Sequence, residues 1–250
     1  MKWHLVAGQA GCDYAVRHGY VAVVVDALRA STTAACMLDA GAAELLVVRE
    51  VEEAFEMKNR YPHALLAGER GGLPPKGFDL GNSPREAGAV KGRRVIFTTT
   101  TGAGRLVQCW GAHAVYLGAT VNATAVARAA ASHDQDIVLI PAGLMSDPGF
   151  SAQEDWVAAS AITLAAEELF GPLDYGEGGH RCYYWRDRIY LKGVERLFQS
   201  APHAEKLREV GLGQDIEFCA RRDCVNVAPC VAGQESPALR VTAAPFRGLG

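Results

Sequence analysis

Six short apolar runs, rich in β-branched residues and each followed by a polar turn and a helical stretch, constrain this chain's fold more than any other feature. The first is Val21–Val25 (VAVVV), closed by Asp26, a Thr-rich turn and a helical stretch over 33–40 that Gly41 ends as a left-handed cap. The others occupy residues 44–48, 64–67, 94–97, 114–117 and 137–140, and a charged helix is predicted over Val51–Arg60. Strands that are apolar throughout are buried on both faces, and their alternation with helices indicates a largely parallel sheet. The expected fold class is therefore α/β: three layers, α/β/α, with a mostly parallel sheet. Right-handed crossovers gather the strand-to-helix turns on one edge, and ligands bind beyond the carboxyl ends of such strands. Asp26, Glu69, Thr99 and Asn122 are accordingly expected at a common edge.

The 250 residues suit one domain over 1–250. The alternation fades after Gly171, which divides the chain into lobes of about 1–170 and 171–232 with the site between them. A helix is predicted over 203–210, strands over 215–219 and 225–231, and a partly ordered tail over 233–250. The net charge of −3 argues against a nucleic-acid partner. No apolar run approaches the length of a membrane span, and the N-terminus has no signal-peptide pattern. Seven scattered cysteines read as reduced thiols, which makes the cytoplasm the expected compartment. A homo-oligomer is compatible with this composition.

Two strand–threonine–helix units carry the first candidate residues. In VVVDALRASTT, the hydroxyls of Ser31, Thr32 and Thr33 and the amides of a helix start form an anion site, Arg29 can clamp an anion in two-pronged fashion, and Asp26 can ligate a metal. The plainer alternative is that Ser31 or Thr32 caps the helix and Arg29 pairs with Asp26. In RVIFTTTTGAGR, the residues Thr99, Thr100, Thr101 and Gly102 form a second anion nest, without the spacing or lysine of a P-loop. Asn122 opens a further helix, where on its own it would be a cap.

Glu69, Asp79, Glu154 and Asp155 lie on the same presumptive edge, and carboxylates beside anion nests suit Mg²⁺ bridging to a phosphate. The metal ligands expected are Asp26, Glu69 and Asp155. Asp26, Arg29 and Glu154 are expected to be catalytic, and Ser31, Thr32, Thr33, Thr99, Thr100, Thr101, Gly102 and Asn122 to bind a small phosphorylated acid. The Gly- and Pro-rich stretch 69–84 (ERGGLPPKGFDLGNSP) is too long to be an idle loop. Arg17-His18-Gly19 has the letters of a histidine phosphatase motif but precedes its strand, so it reads as a surface turn. The spacings of thiol phosphatases, aspartyl phosphatases and zinc sites are absent.

The ordered series VVVDALRASTT, GER with GG behind it, GFDLGNSP, the Thr-Thr-x-Gly turn, NATAVA and EDWVAA resembles the 2-phosphosulfolactate phosphatase family. Ser200, His203, Leu207, Gly211, Asp215-Ile216 and Phe218-Cys219-Ala220 continue the likeness, which spans about residues 20–230. The resemblance implies a Mg²⁺-dependent enzyme that releases phosphate and (R)-3-sulfolactate from (2R)-2-phospho-3-sulfolactate, in some organisms a step of coenzyme M biosynthesis. The family turn usually reads Thr-Thr-Asn-Gly-Thr-Arg; here Thr101, Ala103 and Gly104 stand in the Asn, second Thr and Arg places. The competing readings are hydrolysis of a different phosphorylated hydroxy acid, a non-catalytic small-anion sensor, and a nucleotide-binding module that lacks the usual glycine fingerprints.

Overall fold

The computed structural model describes residues 1–147 and 149–244. The elements follow in the order β1 (Lys2–Leu5), α1 (Gly8–His18), β2 (Val21–Val25), α2 (Ala30–Asp39), β3 (Glu44–Val47), α3 (Val51–Arg60), β4 (Leu65–Gly68), β5 (Arg94–Thr98), α4 (Gly102–Gln108) and β6 (Ala114–Gly118). The chain continues through α5 (Ala123–Ala131), β7 (Ile137–Pro141), α6 (Gln153–Phe170), β8 (Asp174–Tyr175), α7 (His180–Lys192), α8 (Val194–Gln199), α9 (Pro202–Glu209), α10 (Gly213–Cys219), β9 (Pro229–Glu235) and β10 (Ala238–Ala243).

The unbroken apolar character of β2 has a direct cause. Val21, Val23 and Val25 enter one core with Val126 of α5 and Ile162 of α6. Ala22 and Val24 enter a second core with Ala15 of α1, Met37 of α2 and Leu106 of α4. The strand is therefore wholly buried, with helices on both faces, as the α/β reading requires.

The strand order is β4-β5-β3-β10-β9-β6-β2-β7-β1-β8. Two groups are parallel within themselves: β4-β5-β3, and β6-β2-β7-β1-β8. The hairpin β9–β10 joins them through antiparallel pairings to β6 and β3. Three consecutive antiparallel contacts reverse the direction three times, so the two groups run in opposite senses along the sheet.

This hairpin corrects the expected tail over 233–250. Residues 233–243 lie within the sheet, with Leu239 and Val241 buried opposite Val47 and Leu45; residues 245–250 fall outside the described residues. The expected strand at 215–219 is instead α10, because Asp215, Ile216 and Cys219 bury one helical face. Residues 215–219, DIEFC, alternate polar and apolar as a strand does, and five residues are too few for that period to exclude a helix. Arg17-His18-Gly19 is the end of α1, where Gly19 takes φ 64° and returns its N–H to Ala15 and Val16, the turn expected. Among the described residues no helix is long and apolar enough to cross a membrane.

Candidate active site

The ends of β2, β4, β5 and β7 surround a cavity of about 270 Å³, to which α6 and α9 also contribute. Its walls include Asp26, Arg29, Glu69, Thr100, Thr101, Asp155, His203 and Lys206. The two strand groups oppose each other in sense, yet their carboxyl ends meet here, which places Asp26 and Glu69 in one site. A larger cavity of about 410 Å³ lies between Tyr116, Arg128, His133 and Cys230, but no carboxylate lines it among the described residues.

The turn after β2 is rigid because it bonds to itself. The Ser31 hydroxyl accepts from the Asp26 N–H (3.0 Å) and donates to the Val24 carbonyl (3.0 Å). Thr32 donates to the Ala27 carbonyl and Thr33 to that of Asn82. These three side chains were expected on the substrate; they are buried and hold backbone instead. Asp26 Oδ1 accepts from Ala30 N–H (3.1 Å), and Oδ2 has no hydrogen bond from the described residues. Arg29 does not pair with Asp26. Its guanidinium donates to Asp215 at 2.7 Å and to the Gly72 carbonyl at 2.8 Å, a buried pair that brings charge but no loose fork to the cavity.

The turn after β5 receives a protein carboxylate. Gly68 ends β4 at φ 145°, where a Cβ would lie 1.9 Å from the Thr98 carbonyl oxygen, so only glycine allows this approach. Glu69 consequently sits on the expected anion nest: Oε1 accepts from Thr100 N–H (2.7 Å), and Oε2 from Gly72 N–H (2.9 Å) and the Thr100 hydroxyl (3.2 Å). Thr99 accepts from Ala103 N–H in the first turn of α4 (3.0 Å) and does not line the cavity. Gly102 serves close approach, since a Cβ there would lie 2.5 Å from Ala30 Cβ and 2.8 Å from Asp26 Oδ2. At position 104, a Cβ would lie 2.6 Å from Met145 Sδ, so methionine takes the space beside the glycine. Asn122 lies outside the cavity lining and holds backbone: it accepts from Ala119 N–H and donates to the Leu117 and Val227 carbonyls. Asp79 lies elsewhere, accepting from Leu66 N–H.

Glu154 and Asp155, adjacent at the start of α6, both turn inward. Asp155 accepts from Ala27 N–H (2.8 Å) and Gly143 N–H (3.1 Å), tying the turn after β2 to the one after β7. Glu154 Oε1 lies 3.1 Å from His203 Nδ1, while Glu154 Oε2 is buried with no partner among the described residues. Burial pushes Asp26 up to about 6, with His203 opposing the rise and Glu69 and Glu154 reinforcing it. Burial, then the Glu154 and Asp26 charges, hold Asp155 well above the usual carboxylate range. For His203 burial acts downward, but the Glu154 hydrogen bond and the surrounding carboxylates prevail and raise it.

Carboxylates that share a buried cavity at each other's cost suit a cation. Among the described residues no three His, Cys, Asp or Glu side chains form a cage for a metal. Mg²⁺ does not need one, because it is commonly held by one or two carboxylates together with waters and substrate phosphate oxygens. The unengaged Asp26 Oδ2 and the Glu69 carboxylate, the more exposed of the remaining two at 9% against 3% for Asp155, supply hard oxygen donors of that kind. The residues present fit the ion.

His203, Lys206 and Asp215 were not among the expected site residues. The only sequence signal for them was the spaced series from Ser200 to Asp215, since helices α9 and α10 show no strand-end pattern.

The model of the 2-phosphosulpholactate phosphatase family matches residues 12–234. A Deinococcus radiodurans protein described as a probable 2-phosphosulfolactate phosphatase is 42% identical over 226 residues, covering 87% of this chain and 90% of its own length. Proteins so described from Carboxydothermus hydrogenoformans and Thermotoga maritima are 36% and 32% identical, covering 83% and 84% of this chain and 84% and 88% of their own. With a family model spanning most of its length and relatives aligned nearly end to end, this chain belongs to the 2-phosphosulfolactate phosphatase family.

Proposed function

We propose that this protein hydrolyses (2R)-2-phospho-3-sulfolactate to (R)-3-sulfolactate and phosphate with the help of Mg²⁺. One observation carries the reading: backbone amides at the strand ends around the cavity are occupied by the protein's own carboxylates, Glu69 on Thr100 and Gly72, and Asp155 on Ala27 and Gly143. A cavity built this way accepts a multiply charged phosphate ester together with a cation. Asp26 and Glu69 would hold Mg²⁺, which neutralises phosphoryl charge when bound. Lys206 and Arg29 would meet the carboxylate and sulfonate ends of the substrate, Thr100 and Thr101 would border its phosphate, and Asp155 keeps the turns in register. Coenzyme M synthesis is one pathway that uses this reaction, and the cytoplasm is its compartment.

The test is phosphate release from synthetic phosphosulfolactate and a panel of other phosphorylated hydroxy acids, with Mg²⁺ and with chelator. Release that is strongest for phosphosulfolactate and stops with chelator is the expected result. Binding of the panel without release in any condition would replace hydrolysis by anion sensing.

A further inference from the structure

We propose that His203 is the general acid of the reaction, delivering a proton from Nε2 to the ester oxygen that links phosphorus to the carbon skeleton, and that Glu154 is its positioning residue. This assignment rests on the hydrolase reading above. An alkoxide is a poor leaving group, so hydrolysis of an alkyl phosphate gains from a proton donor at the bridging oxygen. In the step, the bridging P–O bond breaks and its electron pair stays on oxygen, which takes the His203 proton and leaves as the hydroxyl of the product. The oxygen of water forms the new P–O bond, its proton passes to phosphate or solvent, and His203 regains a proton from solvent.

The geometry suits this role. His203 lines the cavity from the first turn of α9, and its side chain is 33% exposed while that of Glu154 is 1% exposed. An ionised carboxylate only accepts, so Glu154 Oε1 at 3.1 Å fixes the proton on Nδ1 and leaves Nε2 for the substrate. The Phe150 ring stands edge-on to the imidazole, centroids 6.1 Å apart, and limits its rotation. The charged groups around His203 are Glu154 on α6, Asp26 after β2, Glu69 after β4, and Lys206 one turn along α9; of these, Glu154 makes the direct hydrogen bond to the ring and is not among the residues that would hold Mg²⁺.

The test compares wild type, His203→Asn and Glu154→Gln on phosphosulfolactate with Mg²⁺, with circular dichroism for folding and calorimetry for binding of inorganic phosphate with Mg²⁺. For His203→Asn the expected result is a kcat lower by about 10²–10³-fold with phosphate affinity within threefold of wild type. For Glu154→Gln the expected result is a smaller loss, about tenfold, with the alkaline limb of the kcat profile moved to lower pH because the imidazolium has lost its counter-charge. A His203→Asn kcat within threefold of wild type would overturn the assignment, as would a loss of kcat matched by an equal loss of phosphate binding. An unmoved alkaline limb in folded Glu154→Gln would overturn the positioning role. A wild type without phosphate release would remove the hydrolase reading and this one with it, whereas an active wild type beside an unaffected variant removes this one alone.

Discussion

The turns after β2 and β5 look alike as text, VVVDALRASTT and FTTTTGAGR, and differ in almost every bond they make. The first is sealed: Ser31, Thr32 and Thr33 are buried on backbone carbonyls, and Asp155 and Asp215 clamp it from distant helices. What it presents is charge, on Asp26 and Arg29. The second is more open, with Thr100 exposed, and its task is to seat Glu69 from the neighbouring strand. Hydroxyls and amides at a strand end thus make either a brace or a socket, and the choice falls to the element packed against them.

If that contrast holds, Asp26→Asn is the most damaging change for activity. Phosphate release should fall by about 10³-fold, roughly 4 kcal/mol of barrier. Stability should move the other way. The Asp26 carboxyl titrates near 6 when folded against 3.8 as the unperturbed value, so the folded state favours the protonated form, and wild type loses stability as pH rises through that window. Urea unfolding in chelator at pH 7 should show the variant more stable by roughly 3 kcal/mol, with the gain largely gone below pH 4. Equal stabilities at both pH values would mean that Asp26 is not an ionised, buried cost.

Next in size is Asp215→Ala, which leaves the Arg29 guanidinium buried without its counter-charge and should cost about 3 kcal/mol in urea unfolding. A cost below 1 kcal/mol would show that the first turn is less sealed than its bonds imply. Gly102→Ala drives a Cβ into Ala30 and Asp26 where the two turns touch, so a loss of about 1–3 kcal/mol is expected, accompanied by reduced turnover. Thr100→Ala should do least. Glu69 keeps the Thr100 amide and loses one hydroxyl bond, so unfolding should change by about 0.5–1 kcal/mol, and the Mg²⁺ concentration for half-maximal release should rise only a few-fold. An effect of Thr100→Ala as large as that of Asp26→Asn would erase the distinction between brace and socket.

The parallel strands were legible because burial on both faces leaves a continuous apolar trace, as in β2, and the helix Val51–Arg60 was legible from its charged, Ala- and Met-containing composition closed by Pro62. The hairpin was not. In β9 and β10 exposed and buried positions mix, and the residues Gly233, Gln234, Glu235 and Ser236 have the composition of a tail. Within the site, the sequence identified the right turns but not who occupies them. Nothing local to Thr100 announces that Glu69 will take its amide, nor does anything near Ser31 announce that its partner is Asp26 N–H. His203 stayed hidden because its meaning depends on Glu154, which a different helix supplies.

The hairpin also bears on how the protein is made. Of the ten strands among the described residues, β9 and β10 are translated after the other eight, yet they occupy the middle of the sheet. A nascent chain halted before Pro229 holds two separate sheets with the ladders of β3 and β6 bare, and unpaired edges recruit strands from other chains. Protection of those edges on the ribosome is thus a requirement set by strand order, and it lasts until residues 229–243 emerge to cover both at once.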